Sequence, residues 1–395
     1  MSLVVVGALT LGVISCGAAT SSPCQPDALT SRSVAELTSF SDWVRTNGVR
    51  GVIGEVGWPD GADATRWNEL AGRWYGQADT DSVGVFAWSG ADRWPSTYPL
   101  AIYRRSSPEG VTPPVYAIGS QATVVEGHPA PNGSAGGVSL ADGSFGASWQ
   151  HTASYSSETP GVYGVDYAYP SADLLRLMKS RGVQQVRLAI TWERLQPTLG
   201  TALDRAGLNH LQVALAAAAT AGMSVVLDLH NYGRFAEGAG AARQVLTVGS
   251  PQLPASDLAD FWRRLTTAVH RQPAVSGYGV MDEPHDLPGG AGAWETASAQ
   301  TVAAIRETDQ ATTVFVSGYN YSSAARWTSQ HPHPWISPKM WPVVYEAHQY
   351  FDTAGEGVYT QGYDANNAAA QAQGWTPCSA PPPTHSLTLL PRNTG

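Results

Sequence analysis

The chain is 395 residues long with 43% hydrophobic and 14% charged residues, a balance that excludes a disordered or fibrous polymer and fits a globular protein with a large core. Its net charge of -9 and the lack of any basic run argue against nucleic acid as a partner. Lys179 and Lys339 are the only lysines and there are three cysteines, which sets aside lysine-centred chemistry and a disulfide scaffold.

In chain order, residues 3–14 form an apolar run of about the length of a secretory leader, too short to cross a bilayer comfortably, and residues 1–27 are read as a leader segment. The run lacks the usual preceding Lys or Arg. Cys16 follows Val13, Ile14 and Ser15 and precedes Gly17, a loose lipoprotein pattern, so secretion is expected, with a lipid anchor through Cys16 as the variant. A helical pattern over 34–46 leads to a strand at 51–56, and one over 64–75 to a strand at 83–88. The Pro/Gly/Ser stretch APNGSAG, 130–136, reads as a linker. Strands then follow at 137–140, 183–190, 224–230, 277–281, 312–317 and 343–348. Helical patterns at 171–181, 204–221, 256–270 and 294–308 fall among them. Residues 377–395 carry three successive prolines and no periodicity, and read as a disordered tail. Eight apolar strands alternating with helices predict an α/β fold, a (β/α)8 TIM barrel over 28–376, with chemistry at the C-terminal strand ends. No later segment reads as a membrane span.

Three strand ends carry candidate chemistry: GVIGEVGWP with Glu55, VVLDLHNYGRF with His230 and Asn231, and YGVMDEPHD with Asp282 and Glu283. A lone Glu at a strand end is ordinarily a solvated loop residue. Two on separate strands of one barrel can face each other across its mouth, as glycoside cleavage requires of its proton donor and its nucleophile or base. The 14 Trp and 16 Tyr could line a sugar groove, although large barrels also bury many aromatics.

On these residues the chain resembles glycoside hydrolase family 5, the retaining cellulase-type barrels, over roughly residues 33–375. RGVQQVRLAITWERLQP is similar to that family's second strand, with Arg187 at its arginine, and LDLHNYGRF to the third, with His230 at its histidine. MDEPHD resembles the Asn-Glu-Pro motif, which makes Glu283 the acid/base, and YEAHQYFD the sixth-strand motif with His348 and Tyr350. GEVGWP resembles the seventh strand, with Glu55 as nucleophile. GVFAWSG resembles the eighth, with Trp88 beneath the cleaved sugar, and GGVSLADGSFG, around Ser139 and Phe145, the first.

Two departures follow. The stretches resembling strands seven and eight precede those resembling one to six, so the chain reads as a circular permutant. Residues 28–129 then supply the last two strands, 130–136 join the old ends, and 137–376 supply the other six. The alternative is a six-strand enzyme fused by accident to a fragment carrying the missing pair. Cys24 and Cys378 fall at the new seam and could pair in an exported protein. Asp282 also stands where the family has Asn. Ionised, it can only accept hydrogen bonds, and it raises a pKa of the carboxyl cluster; protonated, it could donate.

The resemblance implies a retaining endo-β-1,4-glucanase that acts on β-glucan by double displacement. Arg187 would hold Glu55 ionised, Tyr350 would donate to Glu55, and His230 and His348 would position Glu283 or sugar hydroxyls. Asn231 and Asp282 join the substrate-binding set. Trp192, Tyr232, Tyr319 and Trp327 are candidates for further subsites, and Glu193, Asp228, Asp286 and Glu346 for ion-pair or solvated acids. No cofactor or metal is implied, and a monomer is expected. Mannan, xyloglucan or mixed-linkage glucan remain alternative substrates, and a weakly active or inactive glycan-binding barrel is the alternative that Asp282 motivates.

Overall fold

The computed structural model describes residues 26–130, 135–141 and 155–377. The leader, Cys16, Cys24, Cys378, Phe145, most of the linker and the tail beyond 377 lie outside the described residues. Eight parallel strands form a closed ring: β1 Gly51–Gly57, β2 Gly84–Ala91, β3 Gly137–Leu140, β4 Gln185–Ile190, β5 Ser224–Leu229, β6 Val275–Gly279, β7 Thr313–Ser317 and β8 Val343–Tyr350. Neighbours along the ring are neighbours in sequence, and β1 closes it by pairing with both β2 and β8. The expected eight strands are therefore all present, shifted by a few residues at their ends.

Side-chain alternation stacks the barrel interior in layers. Val52, Phe86, Val226, Phe315 and Val344 form an apolar floor. Two residues further along several strands the interior turns polar, with Arg187, Asp228 and Glu346 buried there. Gly54 belongs to this layer, since a Cβ on it would lie 2.2 Å from Glu346 Oε1. The outer faces of the strands pack on the surrounding helices through Ile53, Val186, Leu188, Leu227 and Val314.

The helices at the predicted places run Ala28–Asn47, Ala64–Asp81, Ala172–Ser180, Arg205–Thr220, Ala255–Val269 and Gly290–Arg306. The first begins six residues before the expected start at 34. Its opening turns bury polar side chains that hydropathy cannot flag: Asp27 Oδ1 accepts from Thr30 N at 2.9 Å, and Arg32 donates to the Phe351 and Asp352 carbonyls at 2.6 and 3.0 Å. A further helix, Tyr363–Ala372, lies against it: Leu29 N donates to Asn367 Oδ1 at 3.0 Å. Two short hairpins, Tyr103–Arg105 with Tyr116–Ile118 and Arg234–Glu237 with Gln244–Thr247, were not expected, being too short for a periodic signal. Among the described residues, no helix is long and apolar enough to cross a membrane.

Candidate active site

Arg187 lies at the centre of the polar layer and is 1% exposed. Its Nη1 donates to Glu55 Oε1 at 2.9 Å, and its Nη2 lies 3.0 Å from Asp228, 2.5 Å from Asp282 and 2.9 Å from Glu346. One guanidinium thus serves four carboxylates from four parts of the ring. Desolvation works against its charge, but the four acids outweigh it and keep its pKa well above the ordinary value.

Glu55 enters this cluster through a backbone irregularity. Strict alternation would send it to the outer face with Ile53. The ladder between β1 and β8 shifts register between Ile53 and Glu55, a bulge that turns the carboxylate inward. There Tyr350 Oη donates to Glu55 Oε2 at 2.7 Å. Glu283 stands just past β6 with φ 41, a left-handed backbone that aims its side chain across the mouth. His348 lies between the two acids: its Nδ1 is 2.8 Å from Glu283 Oε1 and 3.8 Å from Glu55 Oε2. The two oxygens can be no farther apart than the sum of those distances, at the lower edge of the ~6.5–9.5 Å that inverting carboxyl pairs need.

The electrostatics depart from one expectation. Arg187 was to hold Glu55 ionised, yet the Glu55 carboxyl is pushed up to about 7. Burial is the largest cause and Asp282 adds to it, and together they outweigh His348 and Arg187, because Arg187 divides its charge among four acids. Glu283 is raised as well, by burial and then by Asp282 against the His348 hydrogen bond. Asp282 goes the other way. Burial would raise it, but His230, Arg187 and His348 hold it below its ordinary value, the direction that suits an accepting Asp282. Its Oδ2 lies 3.2 Å from His230 Nε2.

The pKa values of both imidazoles are raised. Burial opposes this, but His230 is lifted to about 9 by Asp282 and Asp228, and His348 well above its usual range by Glu55, Glu283 and Glu346. Donor atoms of Glu55, Asp282 and His348, and of Asp228, His230 and Asp282, come within 4.8 Å of one another. In both sets the acids already pair with Arg187, which leaves little uncompensated charge for a metal ion.

Trp88 lies over the same mouth, its ring 5.6 Å from that of His230 at 19° and its Nε1 donating to Tyr98 Oη at 2.8 Å. Tyr232 Oη is 3.0 Å from His230 Nε2. Asn231 faces inward: its Oδ1 accepts from Trp192 N at 2.9 Å and its Nδ2 donates to Glu193 Oε2 at 2.8 Å, so its amide is committed to the scaffold. Of the other aromatic candidates, Trp192 packs on Phe235 and Phe261, and Trp327 on Phe40, Trp43 and Tyr345, both in the core. Tyr319 is half-buried, and its N–H donates to His331 Nε2 at 2.7 Å. The abundance of Trp thus reflects core packing more than a groove. Asp228 and Glu346 are ion-pair acids as expected, though at the heart of the cluster, and Asp286 is exposed. Glu193 is buried without an ion pair among the described residues and accepts from Asn231 and the Ala236 N–H. The missed signal was period two: Asp228 and Glu346 stand two residues before His230 and His348.

Residues 145–378, more than half of the chain, match the family model described as cellulase, glycosyl hydrolase family 5. Glu283 and Arg187 fall inside that match and Glu55 outside it. The chain is 30% identical over 203 residues to a probable endo-beta-1,4-glucanase B of Aspergillus oryzae, covering 50% of this chain and 56% of that one. It is 27% identical over 208 residues to the endo-beta-1,4-glucanase B of Emericella nidulans, covering 51% and 57%. An endoglucanase of Pseudomonas stutzeri solved with cellobiose is 34% identical over 51% of this chain and 58% of its own, with a TM-score of 0.47. The chain thus spans little more than half the length of the curated relatives it matches.

Proposed function

The chain belongs to the cellulase family, glycosyl hydrolase family 5, and on that premise we propose that it is an endo-acting β-1,4-glucanase that works by double displacement with retention. The observation that carries this reading is the convergence of Glu55 and Glu283 on one nitrogen of His348, inside a ring closed by the strand that bears Glu55. Glu55, freed of its proton, attacks the anomeric carbon and forms a glycosyl-enzyme. Glu283, whose pKa burial raises, gives its proton to the leaving oxygen and then takes one from water. Tyr350 and Arg187 fix the Glu55 carboxylate by hydrogen bonds to different oxygens. Trp88 floors the site of the cleaved sugar, and β-glucan is the substrate class. Export through the 1–27 leader and a monomeric state complete the proposal.

The strand order supports reading the chain as a circular permutant. β1 and β2 fill the gap between β8 and β3, which strands drawn from 137–376 leave open. A second reading, a glycan-binding barrel with weak activity, is favoured by Asp282, which competes with Glu55 for Arg187.

Glu55→Gln and Glu283→Gln, assayed on soluble glucans, are each expected to lower kcat by roughly 10²–10⁴-fold. Proton magnetic resonance of the first-formed product should report the β-anomer. Wild-type turnover in Glu55→Gln, or an α-anomer, ends the double-displacement reading. Binding of glucan without any release of reducing ends favours the second one.

A further inference from the structure

The ladder between β1 and β8 ends at the pair Gly57 and Tyr350. Just beyond it, one side chain from a later loop ties the two strands together. Tyr359 Oη accepts from Phe351 N at 2.8 Å and donates to the Gly57 carbonyl. Its ring packs edge-on against Trp67 at 5.1 Å and 86°. Tyr359 reaches this place with φ 48, a left-handed backbone that a tyrosine adopts only at a cost. Such strain persists where the surroundings over-determine it. Here Asp352 Oδ1 accepts from Gly357 N at 2.9 Å, the Asp352 carbonyl accepts from Gly355 N at 3.0 Å, and Arg32 holds the Phe351 and Asp352 carbonyls.

The loop so fixed packs on the ring of Tyr350. A Cβ on Gly57 would lie 3.2 Å from Tyr350 Cε1, and one on Gly357 would lie 2.7 Å from both Cδ1 and Cε1 of the same ring. Two stretches of backbone, one from β1 and one from the 352–359 loop, therefore approach Tyr350 too closely to carry side chains there. The Tyr359 hydroxyl joins the first of them to the loop that holds the second. The tip of the enclosed ring is Tyr350 Oη, which donates to Glu55 Oε2 at 2.7 Å.

We propose that Tyr359 is a positioning residue for the nucleophile: its hydroxyl sets the spacing of β1 and the 352–359 loop about Tyr350, and so holds Tyr350 Oη on Glu55. This rests on the assignment of Glu55 as nucleophile. Both partners of the Tyr359 hydroxyl are backbone groups, so it acts only through the side chains that this backbone carries. A nucleophile must keep one carboxylate oxygen in line with the anomeric carbon, and a loosened Tyr350 lets that oxygen wander. The loss falls on the reacting step rather than on ground-state binding, and therefore on kcat rather than on KM.

The test is a double-mutant cycle on cellotetraose hydrolysis with Tyr359→Phe and Tyr350→Phe. Tyr359→Phe keeps the ring and removes the hydroxyl, and is expected to lower kcat by about tenfold with KM unchanged. Tyr350→Phe should lower kcat at least as much. The double variant should match Tyr350→Phe alone, because the hydroxyl that Tyr359 positions is then gone. A tyrosine that only satisfies two backbone groups would lower the unfolding midpoint and leave kcat of the folded enzyme intact, or would cost the same factor in both backgrounds; either result overturns the proposal. So does a Tyr350→Phe variant with wild-type kcat. In each of these cases hydrolysis by the wild type leaves the glucanase reading standing, whereas no hydrolysis by the wild type ends both. If Tyr359→Phe fails to fold, as judged by thermal unfolding, Gly357→Ala, whose added methyl presses on the Tyr350 ring, decides by the same cycle.

Discussion

Asp282 is the residue on which the chemistry of this site turns. Its carboxylate takes a share of Arg187 that Glu55 would otherwise have, and it adds a further acid to the buried cluster of Glu55, Asp228 and Glu346. As the proposed nucleophile, Glu55 must lose its proton to act, and with the carboxyl pushed up to about 7 it is mostly protonated in mild acid. Each further unit of acid removes about tenfold of the active form. The sign is direct: a repulsion that raises a carboxyl pKa delays ionisation, so removing it lets Glu55 ionise at lower pH. Asp282→Asn should therefore shift the acid limb of the kcat profile downward and raise kcat most on the acid side. A pH–rate series on a soluble glucan reads this, and an unmoved acid limb would count against it. The departure from Asn was legible at position 282 in the sequence. What it does to Glu55 was not, because the outcome depends on four carboxylates sharing one cation within hydrogen-bond reach.

At the scale of elements, close approach between strands decides where glycine is needed. A Cβ on Gly137, the first residue of β3, would lie 1.8 Å from the Gln185 carbonyl oxygen of β4, and one on Gly84 would lie 1.7 Å from the Ala135 carbonyl. Both obstacles are backbone and cannot swing aside. Gly137→Ala is expected to destabilise the fold by roughly 1–3 kcal/mol or more, seen as a lower urea midpoint. Gly72→Ala, in the helix Ala64–Asp81 with nothing within 4 Å of its added Cβ, should instead be stabilising by about 0.5–1 kcal/mol. Equal effects at the two positions would show that the strand contacts do not set the requirement. Strand existence was readable from apolar runs, since strands buried on both faces must be apolar. The β1 bulge that turns Glu55 inward was not, because alternation alone puts that residue on the wrong face.

For the molecule as a whole, the early and late parts of the chain share one ring. β1 and β2 lie between β8 and β3, and the first helix is hydrogen-bonded to the helix Tyr363–Ala372. Neither part can bury its strand edges or its outer faces without the other. Tryptophans are buried in both, Trp58, Trp67 and Trp74 early and Trp262, Trp294 and Trp327 late. Heating should therefore give one transition, with the same midpoint by tryptophan fluorescence and by far-ultraviolet circular dichroism. Two separated midpoints would mean that the parts fold as independent units.

The linear order of residues determined the alternation of strands and helices and the strand ends that carry Glu55, His230, Glu283 and His348, because hydrophobic period and local motif are properties of neighbouring residues. Only the tertiary structure decided that Arg187 would be shared among four acids, that Glu55 would carry a raised pKa, that Asn231, Trp192 and Trp327 would face the interior, and that Tyr321 would stand in solvent against His285. Those outcomes depend on distances between segments far apart in sequence, and on burial, which multiplies every charge that the ring encloses.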